Sequence, residues 1–165
     1  MPSLYISGRF RYEIWSPDKL VCASRWSSNG IITATINDLF DVYFSNGAPQ
    51  AAWYLGLIAD TGFTALAATD TMASHAGWTE AVGYSGSRPA WAPGNAANGV
   101  KTNPTAAEFT ITTEEALRGM FVTSNNTKGG TTGTLWATGA FDAGSTTVPA
   151  GQTLKLFYEL EGREG

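Results

Sequence analysis

Cysteine is nearly absent from this sequence, with Cys22 alone among 165 residues. One thiol excludes an intrachain disulfide and a thiolate zinc cage. With no base identifiable beside it, Cys22 is expected to pack as a small buried hydrophobe. Histidine is as scarce: His75 is the only one, so a multi-histidine metal centre cannot be built. Charge is thin, with Asp, Glu, Lys and Arg at 15% of the chain against about 25% in an ordinary soluble domain. It also leans acidic, 14 Asp and Glu against 10 Lys and Arg, a net charge of -4. The basic excess of a nucleic-acid binder is missing. No apolar run approaches the roughly 20 residues of a membrane span. The start, MPSLYISGRFRYEIW, alternates instead of following a basic end with an apolar run, so it does not read as a signal peptide. The expectation is a protein made and assembled in a reducing cytoplasm, without nucleic acid or membrane as partner.

What the chain does have is ring-bearing and small polar residues. Hydrophobic residues make up 43% and aromatics 12%, ample for one buried core in a chain of this length. Ser, Thr, Asn and Gly fill the places that charge leaves, a balance suited to β-sheet surfaces and to surfaces held against other subunits.

The stretch Asp70 to Trp91 carries Trp78, Tyr84 and Trp91, with Arg88 among them, on backbone too rich in Gly, Ser and Pro for a helix or long strand. Three large rings must still leave water, so this loop is expected to fold back and plug a sheet edge or core mouth. Arg88 is expected to lie across a ring or to pair with a carboxylate.

Before it, Phe10, Tyr12 and Ile14 alternate with Arg9, Arg11 and Glu13, the period of a half-buried strand. Ser16-Pro17-Asp18-Lys19 gives a turn, and Leu20 to Trp26 can pair back. Residues 1–28 read as an N-terminal β-hairpin arm on a body over 29–162. From Ile32 the period changes: Ile32, Ile36, Leu39, Phe40 and Tyr43 fall at helical spacing, predicting one amphipathic helix over residues 31–46 laid on the sheet. A strand over Ile31 to Ile36 is the alternative. Trp53 to Ile58 reads as a central strand buried on both faces, and Thr61 to Thr69 as loop or a short helical turn. From Val100 onward the pattern is β, with frayed residues only at 162–165. Together these predict a mainly β fold, an antiparallel β-sandwich of jelly-roll type with one helix.

Candidate chemistry is sparse. Asp70, Ser74 and His75 supply triad residue types, but sequence neighbours rarely form a triad and no nucleophile elbow is present. His75 more simply bonds loop backbone. Asp60, Asp70, Glu80 and Asp142 are potential calcium ligands without the spacing of a dense acidic loop. Glu114-Glu115 reads as an exposed turn. Lys128 followed by Gly129-Gly130-Thr131-Thr132-Gly133 suggests a phosphate loop, yet lacks its ending and precedes a strand. It reads as a hairpin loop, and Asn125, Asn126, Lys128, Gly129 and Gly130 as a contact loop. The tryptophans, Trp15, Trp26, Trp53, Trp78, Trp91 and Trp136, are spread through the chain, as for a core or interface more than a sugar platform. No enzymatic activity, cofactor or metal is expected.

The strings INDLFDVYF, WYLGLI, DTMASHAGWTE with Tyr84, Arg88 and Trp91, and FVTSNNTKGGTTGTLWA resemble a family of small virion proteins of tailed bacteriophages. The likeness covers about residues 30 to 161, with residues 1 to 28 an addition to the family's body. It implies a virion component, with no catalytic residue carried over. A capsid decoration (cement) protein on the outer shell, contacting the major capsid protein or other virion subunits and itself as dimer or trimer, suits the composition. A neck, tail or fibre-base adaptor is the alternative, and a carbohydrate-binding virion domain a lesser one.

Overall fold

The computed structural model describes residues 3–165. In chain order it forms β1 (Leu4–Ser16), β2 (Lys19–Ala23), β3 (Ser27–Ile31), α1 (Thr33–Phe44), β4 (Trp53–Ala59) and β5 (Ala90–Trp91). There follow β6 (Val100–Thr102), β7 (Ala107–Thr110), β8 (Glu115–Thr123), β9 (Leu135–Ala140), β10 (Thr146–Val148) and β11 (Thr153–Glu164). Among the described residues the fold is mainly β with one helix, as the periodicities predict.

All strand pairs are antiparallel and join into one curled sheet, in the order β5-β4-β8-β9-β3-β1-β11-β6. β10 is added to β8, β2 to β1 and β7 to β11. The hydrogen-bonded path is continuous, in place of two separately bounded sheets, because β3 serves both halves. Its first residues pair with Gly8 to Phe10 of β1, and Gly30 and Ile31 pair with Thr138 and Ala137 of β9. The curl turns both halves onto one core, where Phe10, Tyr12 and Ile14 of β1 meet Leu55, Leu57, Met120 and Val122 of the other half.

The stretch read as an arm is therefore part of the body. β1 pairs with β11 from Leu4↔Glu164 to Trp15↔Thr153, and its apolar face is core. The hairpin with β2 does form, but β1 contributes three rings or branched chains whose exposure would cost several kcal/mol in all. The same pairing carries β11 to Glu164, so the expected fraying from residue 162 is corrected. Residues 1 and 2 of the expected arm lie outside the described residues. Cys22 is also corrected: β2 hangs on the end of β1 with every residue exposed, so Cys22 faces solvent.

β4 is buried on both faces, as its unbroken apolar run suggests. Leu55 and Leu57 enter the main core, while Ile58 joins Ile32, Met72, Trp78, Phe121 and Leu135 in a second cluster on the other face of the sheet. The Phe121 ring covers Gly56, where an added Cβ would stand 2.1 Å from it.

α1 ends where Asn46 takes φ +58° and both Ser45 N and Gly47 N donate to Asp41 O at 2.9 Å, a left-handed termination. Its orientation departs from expectation. Thr35 is its only buried residue, donating to Ile32 O at 2.7 Å and Trp136 O at 3.2 Å. The apolar stripe of Ile36, Leu39, Phe40 and Tyr43 sits about a quarter turn round from the Thr35–Val42 face. Leu39 borders the sheet side, while Phe40, Tyr43 and the neighbouring Phe44 point to solvent, Tyr43 80% and Phe44 76% exposed.

Candidate functional site: the aromatic loop and the tryptophan cleft

The loop from Asp70 to Trp91 forms the seam of the curl. It returns along the free edge of β4: Ala59 N donates to Thr79 O, Ala81 N to Leu57 O and Leu55 N to Pro89 O, each at 2.9 Å. Tyr84 then bridges to Ile111 and Ser85 N donates to Thr110 O at 2.9 Å, which ties this edge to the opposite half beside β7. The expected plug is what the backbone builds.

Its rings are buried, with Trp78 at 1% exposure. Trp78 packs on Phe121 (5.1 Å between centroids), and His75 stacks on it at 3.9 Å. The indole N–H donates to Asp70 Oδ2 at 3.0 Å, and the same oxygen accepts from Ala67 N. His75 Nδ1 lies 2.9 Å from Trp78 O; a carbonyl can only accept, so Nδ1 carries the proton. Asp70 and His75 are thus engaged with indole and backbone, not arranged as orienter and base.

Tyr84 packs edge-on against Phe109 at 5.0 Å. Burial, and then the neighbouring Glu80 carboxylate, holds its phenol well above its ordinary range.

Arg88 draws the aromatic loop and the expected contact loop together. Its Nε and Nη2 donate to Glu80 Oε1 and Oε2 at 2.9 and 2.8 Å, a bidentate pair with the guanidinium fully buried. Nη1 donates to Asn125 O and Nη2 to Gly130 O, each at 2.9 Å. Four of its five N–H groups are thereby used, and its face lies 5.2 Å from the Phe121 ring centroid. Both expected partner types, ring and carboxylate, are present. Glu80 Oε2 also accepts from Gly129 N at 2.7 Å, Arg88 N donates to Asn126 O at 3.0 Å, and Lys128 Nζ donates to Tyr84 O. Asn125 Oδ1 accepts from Thr127 N at 2.7 Å, closing the turn. The loop from 124 to 134 joins β8 to β9 as a hairpin loop, pinned at Asn125, Asn126, Lys128, Gly129 and Gly130.

The other candidates lie apart. Among the described residues no three His, Cys, Asp or Glu side chains gather as metal ligands, so Asp60, Asp70, Glu80 and Asp142 form no cluster. Glu114 is exposed, but Glu115 is not the exposed turn residue expected: it opens β8 half-buried, and its Oε1 accepts from Gly83 N at 2.6 Å. Among the described residues no helix is long and apolar enough to cross a membrane.

Two features escaped the sequence. Tyr158 is a buried hub: its hydroxyl accepts from Trp136 Nε1 at 3.1 Å and Asn29 Nδ2 at 3.3 Å, and its carbonyl accepts from Trp91 Nε1 at 3.2 Å. Burial pushes its phenol up to about 12. The second is a cleft of about 460 Å³ between α1, the 47–50 turn and the sheet. Trp53, Trp91 and Trp136, far apart in sequence, converge on it with Val122 and Leu160, while Asp38, Asp41 and Lys101 stand among its polar lining. Only the strand register, which local pattern does not encode, brings these rings together.

No protein-family model matches the chain, and no curated protein matches it.

Proposed function

We propose that this protein is a virion structural subunit of a tailed bacteriophage, working by contact with other subunits and not by catalysis. The observation that carries the reading is the outward aromatic stripe of α1, where Phe40, Tyr43 and Phe44 stand exposed on a tightly stitched β scaffold. Exposed contiguous rings mark interaction surfaces, and the low charge fraction suits subunit contact. The phage assignment itself rests on the resemblance of residues 30 to 161. Capsid decoration on the outer shell is our first reading, with the major capsid protein and further copies in a dimer or trimer as partners. We read the curled sheet, whose halves face each other across one core, as a sandwich of jelly-roll type.

A neck, tail or fibre-base adaptor has nearly the same requirements. Carbohydrate binding is favoured by one observation, the meeting of three tryptophans in the cleft. Against it, Trp91 and Trp136 are buried with their N–H groups spent on Tyr158. Labelling the protein in intact particles tests the proposal. Decoration predicts label across the shell, whereas label at one vertex favours the adaptor and no label removes the virion role. A screen of host polysaccharides for binding and cleavage separates off the glycan reading.

A further inference from the structure

We infer that the α1 stripe and the adjoining tryptophan cleft form one docking surface for a basic segment of another protein, anchored by a large apolar side chain. The inference rests on the subunit-contact reading and names the chemistry of the contact. Three observations carry it.

The first is the patch itself. Phe40, Tyr43 and Phe44 pack on one another in solvent, with centroids 6.4 Å (Phe40–Phe44) and 4.9 Å (Tyr43–Phe44) apart. Leu39 belongs both to this stripe and to the wall of the cleft, so stripe and cleft are continuous.

The second is the cleft's interior. A volume of about 460 Å³ lies within the roughly 300–1,000 Å³ typical of binding clefts, enough for one or two large side chains. Because Trp91 and Trp136 direct their N–H groups inward to Tyr158, those two rings offer the cleft only hydrocarbon. An apolar anchor packed on those two rings leaves neither of their donors unpaired.

The third is charge. α1, TATINDLFDVYF, carries Asp38 and Asp41 and no cation. Among the described residues neither carboxylate is in an ion pair. Lys101, the cation that lines the cleft, donates to Gly94 O at 3.2 Å. The two carboxylates beside an apolar hollow therefore complement lysine or arginine flanking an apolar anchor. A second copy of this chain is the poorer occupant, since a two-fold pairing through α1 sets the same acidic face against itself.

The test uses two labelled synthetic amphipathic helical peptides with identical leucine and phenylalanine positions, one with lysine and the other with glutamate at its polar positions. Fluorescence anisotropy is read on titration with the full-length protein at low and physiological salt. The lysine peptide is expected to bind at least about tenfold tighter, with an advantage that shrinks as salt rises. Asp38→Asn with Asp41→Asn should abolish the preference. Tyr43→Ser with Phe44→Ser should weaken the lysine peptide at least about tenfold while leaving the far-ultraviolet circular dichroism unchanged. Equal affinity for both peptides, a preference untouched by the Asp substitutions, or no binding of the lysine peptide would overturn the inference. Concentration-dependent dimerisation abolished by the Tyr43 and Phe44 substitutions would overturn it too, giving the face to a second copy. These outcomes are separable from the virion reading, which stands or falls on the label in particles.

Discussion

Trp78 gives the loop a reason to be ordered. Its ring closes the second cluster over Phe121, its N–H is met by Asp70, and His75 covers its face. Replacing Trp78 with Ala removes all three contacts and should cost roughly 3–5 kcal/mol in urea unfolding; a loss under about 1 kcal/mol would contradict this packing. Arg88 matters for a different reason. Removing it strands the Glu80 carboxylate in a buried site and leaves the carbonyls of Asn125 and Gly130 without donors. Arg88→Ala should therefore also cost about 3–5 kcal/mol, and hydrogen exchange should rise at both residues 78–91 and 124–134. Exchange confined to one loop would contradict the knot. The burial of these rings was legible, because three aromatics on Gly-rich backbone have few other places to go. Glu80 as the partner was not, since eight residues of irregular loop set no geometry between two side chains.

β1 shows where local pattern stops. Its alternation is plain in the sequence, and the strand forms as written. Nothing in Arg9 to Ile14 reveals a partner strand some 150 residues away, so the local pattern predicts the hairpin, which forms, but reads it as an arm and not as a strand inside the sheet. Deleting residues 4–16 should unfold the protein, because β11 and β3 lose their shared neighbour. A deletion variant that kept a cooperative urea transition and its near-ultraviolet circular dichroism would restore the arm. α1 repeats the lesson in another form. Period 3.6 disclosed an amphipathic helix with close to the right bounds, yet periodicity cannot say which way the apolar side faces. Here Thr35 fixes the rotation through Ile32 O and Trp136 O, and Phe40 and Tyr43 turn outward.

The whole curl converges on Tyr158, whose titration gives a pH signature. The folded value of about 12 lies above the ordinary tyrosine value near 10, so folding favours the neutral phenol. That contribution is complete below about pH 10 and is lost as pH rises through about 12. Tyr84, also raised by burial and by Glu80, acts in the same direction. At the acid end Glu13 works oppositely. Its hydrogen bond from Arg11 lowers its pKa, so its contribution is present above the ordinary carboxylate range and lost on acidification. Urea midpoints should fall steeply between about pH 10 and 12, and Tyr158→Phe should flatten that fall; a fall equally steep in the variant would contradict the hub. Beside these stitched elements the face of α1 holds Phe40, Tyr43 and Phe44 exposed and packed on one another, and the proposed role lies in that surface. Rebinding to particles that lack the protein reads it directly. Purified wild-type protein should bind such particles saturably, and the Tyr43→Ser, Phe44→Ser variant should bind at least about tenfold more weakly. Wild-type and variant binding alike, or neither binding at all, would contradict a subunit that attaches through α1.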